Sequence, residues 1–275
     1  MRTPVTADLS ATGSIARAAA ILTALSDAPD GETLTVLVNR TGFSKTTTHR
    51  VLASLQAVNF VFQDPLNRRY RLGGKLARIG WRAEGLDLAA MAERGMKRLA
   101  ALTEDTVFLS MPEGSASLCV AREVGAFPIK TLTLERGDRR PLGVGAGALA
   151  LYSQMPDARR IATNKANRHW LAEYGADKYR LETLRDDTLK RGYALNRGGI
   201  VRGMNAIGLP VTTRGGRLVA ALAIGAIDDR TTPERIETIL LPALREEANR
   251  LSDSLSAFRD KNGADNDVSK GERQA

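Results

Sequence analysis

The sequence predicts an α+β protein made of two unlike parts, a small helical unit closed by a hairpin and a larger domain with a largely antiparallel sheet. Three observations lead there. Helical periodicity broken by tight turns fills residues 14–57, and stretches alternating every second residue recur from residue 105 onward. The net charge of +9 is uneven, with 11 Lys+Arg against 5 Asp+Glu in residues 1–83 but 25 against 22 in residues 84–258. The 275 residues, 43% of them hydrophobic, are enough to bury a core in each part.

In SIARAAAILTALS, residues Ile15, Ala18, Ala19, Leu22 and Leu25 recur at helical steps, with Ser14 as the expected N-cap. A short helix, LTVLVNRT, stops at Gly42. Ser44 caps a third helix whose stripe is Val51, Leu52, Leu55 and Val58. Its first turns carry Lys45, Thr46, Thr47, His49 and Arg50 mostly off that stripe, although β-branched threonines are mediocre helix formers. FVFQDPLNRRYRLG then reads as two strands around an Asp64–Asn67 turn. Helix, helix, tight turn, helix and basic hairpin make a winged helix-turn-helix, expected over residues 14–73.

In such a motif the start of the second helix of the turn enters the major groove. There Ser44, Lys45, Thr46, Thr47, His49 and Arg50 would meet bases and phosphates, and Arg68 and Arg69 of the wing would grip flanking phosphates. Double-stranded DNA is therefore the expected partner; the alternative is that these residues are simply solvated.

Residues 74–103 are expected as linker helices. The larger domain, residues 104–258, opens with strands on either side of Pro112–Ser115, and GDRRPLGVGAGALAL follows as a loop and helix. After further helices come YALN, a glycine-rich loop at 198–203, two strands joined at Arg214–Gly216, and a closing helix that Pro242 would bend. Residues 1–13 and 259–275 are polar and expected to be disordered. The single cysteine, Cys119, together with a start that lacks an apolar signal core, fits a cytoplasmic setting.

Taken in order, SIARAAAILTAL, FSKTTTHRVLASL, YRLGGKLARIG, PLGVGAGALAL and RGYALN followed by GLPV and ALAIGAI resemble the IclR family of bacterial transcription regulators over about residues 14–258. The resemblance implies a GAF-like C-terminal effector domain, dimers or dimers of dimers on operator DNA, and a small organic molecule as signal. It also implies an effector site at Gly143, Val144, Gly145, Ala146 and Gly147, with Asn196, Asn205, Ala206, Ala223 and Gly225. Backbone N–H groups at a helix start suit a carboxylate; alternatively, the glycines serve only close packing. Where many family members carry an acidic pair, a cysteine and serines, this chain has Arg197-Gly198-Gly199, Ala206, Ala223 and Gly225. The expectation is a more apolar pocket, suited to an aromatic or branched carboxylic acid.

Enzyme readings find little support. Gly143–Ala148 formally matches a GxGxxA dinucleotide fingerprint, but GDRRPL precedes it in place of a hydrophobic strand. The two histidines, His49 and His169, lie far apart in the chain. No CxxC, HxxxH or GxSxG motif occurs, and Asp186-Asp187 and Asp228-Asp229 read as solvated neighbours. No cofactor, metal or catalytic residue is expected.

Overall fold

The computed structural model describes residues 13–28, 30–83 and 87–271, with side chains described up to residue 258 except at 77, 78, 81, 82 and 83. Residues 1–12, expected to be disordered, lie outside the described set. The chain divides into two compact units, Met1–Ile79 and Gly80–Ala275.

The first unit holds α1 (Ser14–Ser26), α2 (Leu34–Thr41), α3 (Lys45–Ala57) and an antiparallel hairpin of β1 (Val61–Gln63) and β2 (Tyr70–Leu72). Ile21, Ala24, Leu25, Leu37, Leu52, Leu55, Val61 and Tyr70 form its core. The stripe expected on α1 is displaced: Ile15 is 84% exposed and Ala19 is exposed, while Ile21 is fully buried. An Ala-rich helix offers several apolar faces, and docking against α2 and α3 selects among them. Gly13, without a side-chain hydrogen bond, is the N-cap of α1 in place of Ser14. Val58, placed on the α3 stripe by the sequence, is the exposed C-cap of that helix. The hairpin tip is set by buried Asp64, whose carboxylate accepts the Leu66 N–H at 2.9 Å.

α4 (Gly74–Ala83) spans the boundary between the units. The second unit continues with α5 (Leu88–Thr103), β3 (Thr106–Glu113), β4 (Ala116–Glu123), β5 (Arg139–Pro141), α6 (Ala146–Ser153), α7 (Asp157–Ala166), α8 (Arg168–Ala172) and α9 (Lys178–Arg191). Next are β6 (Ala194–Arg197), β7 (Met204–Thr212), β8 (Leu218–Ile227), a 3-10 turn (Asp228–Arg230), α10 (Pro233–Arg235), a π-helical turn (Ile236–Leu240) and α11 (Leu241–Gly271). The sheet is antiparallel throughout, in the order β5-β4-β3-β8-β7-β6.

Strand alternation sends side chains to two faces. Val107, Leu109, Met111, Leu222 and Ile224 join α5 and α11 in one core, so α5 is an integral part of this unit rather than a bare linker. The opposite face carries α6 and α9, with Leu149, Leu151, Tyr152 and Leu181 buried there. Pro242 follows directly on the π turn, in which the Leu241 N–H reaches the Ile236 carbonyl. A proline lacks the N–H of a regular helix, and a wider turn accommodates the gap. The helix continues to Gly271, across most of the tail that composition marked as disordered.

Residues 124–138, part of the stretch that alternates in strand fashion, form no strand; the third strand is Arg139–Pro141. Side chains take the place of a ladder there. Lys130, Arg140 and Arg122 donate to the carbonyls of Gly125, Thr133 and Leu134. Buried Asp105, at the entry to β3, accepts from Arg230 Nε at 2.8 Å and Arg235 Nη1 at 2.9 Å, which ties the 3-10 turn and α10 to the sheet.

Leu52, fully buried in the first unit, gives a direct check of the two-unit division. Leu52→Ala is expected to cost about 2–5 kcal/mol. Differential scanning calorimetry should show the transition of the first unit lowered and that of the second unchanged.

Candidate functional site

Two regions bring together the residues singled out in the sequence. The first is the start of α3. Ser44 is its N-cap: the Ser44 hydroxyl accepts the Thr47 N–H at 3.2 Å and donates to Thr47 Oγ1 at 2.9 Å. The three consecutive threonines have three different roles. Thr46 is exposed, Thr47 is held in the cap, and Thr48 is fully buried with its hydroxyl donating to the Ser44 carbonyl at 3.1 Å. Lys45, His49 and Arg50 are exposed, as is Arg68 at the hairpin tip, and none of them takes part in an ion pair among the described residues. Of the acids between α1 and α2, Asp27 and Glu32 both pair with Arg40. Lys45 and Arg50 at the start of α3 and Arg68 at the hairpin tip therefore present uncompensated positive charge.

Arg69 departs from its expected role. Its Nη1 donates to the Gly31 carbonyl at 2.9 Å, so it fastens the hairpin to the loop between α1 and α2 instead of facing outward. A carbonyl left unpaired near a packed hairpin is costly, and a half-buried guanidinium meets that need.

The second region is a cavity between the sheet, the start of α6, the 124–138 loop and the 198–203 loop. Of the expected effector residues, Val144, Gly145, Ala146, Gly147, Asn196, Asn205, Ala206 and Ala223 line it. Gly143 and Gly225 do not. A side chain at Gly143 would run into Leu181 of α9, with Cδ2 at 2.6 Å, which is the packing role considered for these glycines. Gly225 lies beneath Thr131, whose Cγ2 would be 2.9 Å from an added Cβ.

The sequence missed the polar lining. Arg140, Ser110, Ser117, Thr131 and Thr133 face the cavity, so its walls are less uniformly apolar than expected. Ser110 points there because Leu109 and Met111 point into the opposite core, and Ser117 pairs across the sheet with Arg140. Arg140 is 8% exposed, its Nη1 would be 3.4 Å from a Cβ on Gly145, and it donates to the Thr133 carbonyl. Burial pushes this guanidinium below its ordinary pKa. Gly145, the N-cap of α6, offers no side chain to the first N–H groups of that helix. Arg140 stands in the polar GDRRPL segment, and nothing in its spacing marks it as buried. The cavity volume is about 50 Å3, far below the ~300–1,000 Å3 of typical ligand pockets. Room for an aromatic acid, the expected signal, would require one of the covering loops to move.

Among the described residues no cluster of His, Cys, Asp and Glu could hold a metal ion. No described helix is long and apolar enough to cross a membrane. Burial pushes the Cys119 thiol up to about 11, far from the thiolate a nucleophile needs.

The family model for the IclR helix-turn-helix domain matches residues 14–65, and that for the IclR C-terminal domain of bacterial transcriptional regulators matches residues 82–253. This chain belongs to the IclR family. It is 28% identical over 250 residues to the glycerol operon regulatory protein of Streptomyces coelicolor, covering 90% of this chain and 97% of that one. It is also 28% identical over 209 residues to the transcriptional regulator KipR of Bacillus subtilis, covering 74% and 82%. Among solved structures, the IclR regulator of Alicyclobacillus acidocaldarius aligns with a TM-score of 0.52 at 26% identity, covering 88% of this chain and 98% of that one. Thermotoga maritima IclR aligns with a TM-score of 0.55 at 20% identity over the same shares, a likeness of fold. These IclR relatives are transcriptional regulators rather than enzymes, and this chain is a regulator with a helix-turn-helix DNA-binding domain.

The cap of α3 can be separated from its surface charge. Ser44→Ala should cost about 1 kcal/mol of stability in the first unit. Ser44→Asp should keep the cap and the melting temperature yet weaken DNA binding, because a carboxylate would then face phosphates. Thermal melts and a DNA titration of the two variants distinguish these outcomes.

Proposed function

We propose that this IclR regulator binds operator DNA through the exposed start of α3, where Lys45, Thr46, His49 and Arg50 meet bases and phosphates. Thr47 and Ser44 hold the turn that presents them, and Arg68 at the hairpin tip meets a flanking phosphate. The observation that carries this reading is the uncompensated positive surface around a well-capped helix start. Self-association, as a dimer or a dimer of dimers, would present two such heads to two half-sites at a fixed spacing.

The cavity in the second unit is proposed to take a small organic acid as the effector. Its support is the combination of a buried guanidinium, a helix start with an uncapped end and a small recess lined by both. Binding there would change regulation only by favouring one arrangement of the DNA-binding heads over another.

The test is fluorescence anisotropy with duplexes from upstream of the protein's own coding sequence, against scrambled duplexes, over a series of salt concentrations. Arg50→Ala is expected to weaken specific binding by about 1–3 kcal/mol if Arg50 reads a base. If it meets only a phosphate, the loss should be alike on all duplexes and the salt dependence shallower. Equal affinity of the unaltered protein for operator and scrambled duplexes at every salt concentration would overturn the reading.

A further inference from the structure

The cavity contains more hydrogen-bonding capacity than the protein itself uses. Thr131 is 4% exposed, yet its Oγ1 has no hydrogen-bond partner. It lines the cavity from the 124–138 loop, held over Gly225 and the Phe108 strand pair. Ser110 and Ser117, each 3–4% exposed, line the floor, and no side-chain hydrogen bond of either occurs among the described residues. An orphaned buried hydroxyl costs stability unless something else meets it.

The charge of Arg140 has no direct ion pair either. Among the described residues no carboxylate lies within ion-pair distance of Arg140; the neutral Thr133 carbonyl and Tyr174 hydroxyl are beside it, with Asp138 acting only at longer range. Its Nη1 lies beside the backbone of Gly145, where the N–H groups of α6 begin. A buried cation of this kind is stabilised by an anion that also accepts from the helix start. A neutral polyol would leave it uncompensated. The space, about 50 Å3, restricts the anion to a few heavy atoms.

We propose that the cavity is built for a small α-hydroxy carboxylate, with its carboxylate between Arg140 and the start of α6 and its hydroxyl on Thr131 Oγ1. The apolar wall of Phe108, Val144, Ile200 and Met204 receives a short hydrocarbon end and excludes water. This inference rests on the effector reading of the cavity and names the chemistry of the ligand.

Calorimetric titration of the full-length protein with glycolate, L-lactate and D-glycerate, and with acetate, propionate, glycerol and benzoate as controls, tests it. At least one hydroxy acid should bind about tenfold or more tighter than its deoxy counterpart, the value of one satisfied buried hydrogen bond. Thr131→Val should remove that preference while leaving acetate and propionate unchanged, and Thr131→Ser should restore it. Arg140→Gln should abolish binding of all the acids. Circular dichroism melts report whether each variant is folded; should Arg140→Gln not fold, Arg140→Lys should still weaken the acids because the forked geometry is lost. Equal binding of lactate and propionate overturns the proposal, as does binding of glycerol or benzoate alone, an unchanged preference in Thr131→Val, or no hydroxy acid bound at millimolar concentration. The titration needs no DNA. Failure to bind operator would leave a positive result here intact, and a negative result here would leave operator binding intact.

Discussion

The close approach of α6 to the sheet is the constraint on which the second unit depends. A Cβ on Gly208 of β7 would lie 2.7 Å from the Ala146 carbonyl, so only glycine lets the helix start sit where it does. Ala221 and Ala223 of β8 extend this low floor. From behind, Tyr152 of α6 is fully buried and its hydroxyl reaches Glu182 of α9 at 2.7 Å and Asn164 of α7 at 3.1 Å. A helix pinned on both sides aims its N-terminal N–H groups at one fixed place, and Arg140 lies at that place. The geometry of the cavity follows from packing at three small residues and one buried phenol.

The cover of the cavity has a different origin. Residues 124–138 form no strand, yet both ends are fixed: the Gly125 and Phe127 N–H groups bond to the carbonyls of Asp105 and Glu104, and the Gly137 N–H bonds to the Cys119 carbonyl. The Phe127 ring lies 3.9 Å from the Arg230 guanidinium, itself bound to Asp105. The loop that carries Thr131 over the cavity is thereby joined to the exit of α5 and to the turn after β8. A segment with backbone hydrogen bonds near its ends and side-chain contacts between them opens at lower cost than a sheet strand, which suits a cover over a cavity of small volume.

In the first unit, local and global demands agree. Buried Thr48 and capping Thr47 serve the fold, while Thr46, Lys45, His49 and Arg50 remain on the surface. The poor helix propensity of a threonine run is offset by the Ser44 cap and by burial of Leu52 and Leu55 further along. The exposed polar surface and the core packing thus occupy different faces of the same three turns.

The sequence by itself determined most of what short-range rules govern. Capping at Ser44, the stop at Gly42, the turn at Asp64, the strand pair around Gly114 and the charge of the N-terminal unit all depend on neighbours within a few residues. The glycine-rich start of α6 was legible for the same reason. Tertiary structure decided which of several apolar faces α1 buries, because its alanines fit more than one. It also decided that residues 124–138 fold over a cavity, that Arg69 turns inward, and that Arg140, Ser110, Ser117 and Thr131 converge. Those four come from three strands' worth of register and one irregular loop, and no spacing along the chain encodes a meeting that depends on which strand lies beside which.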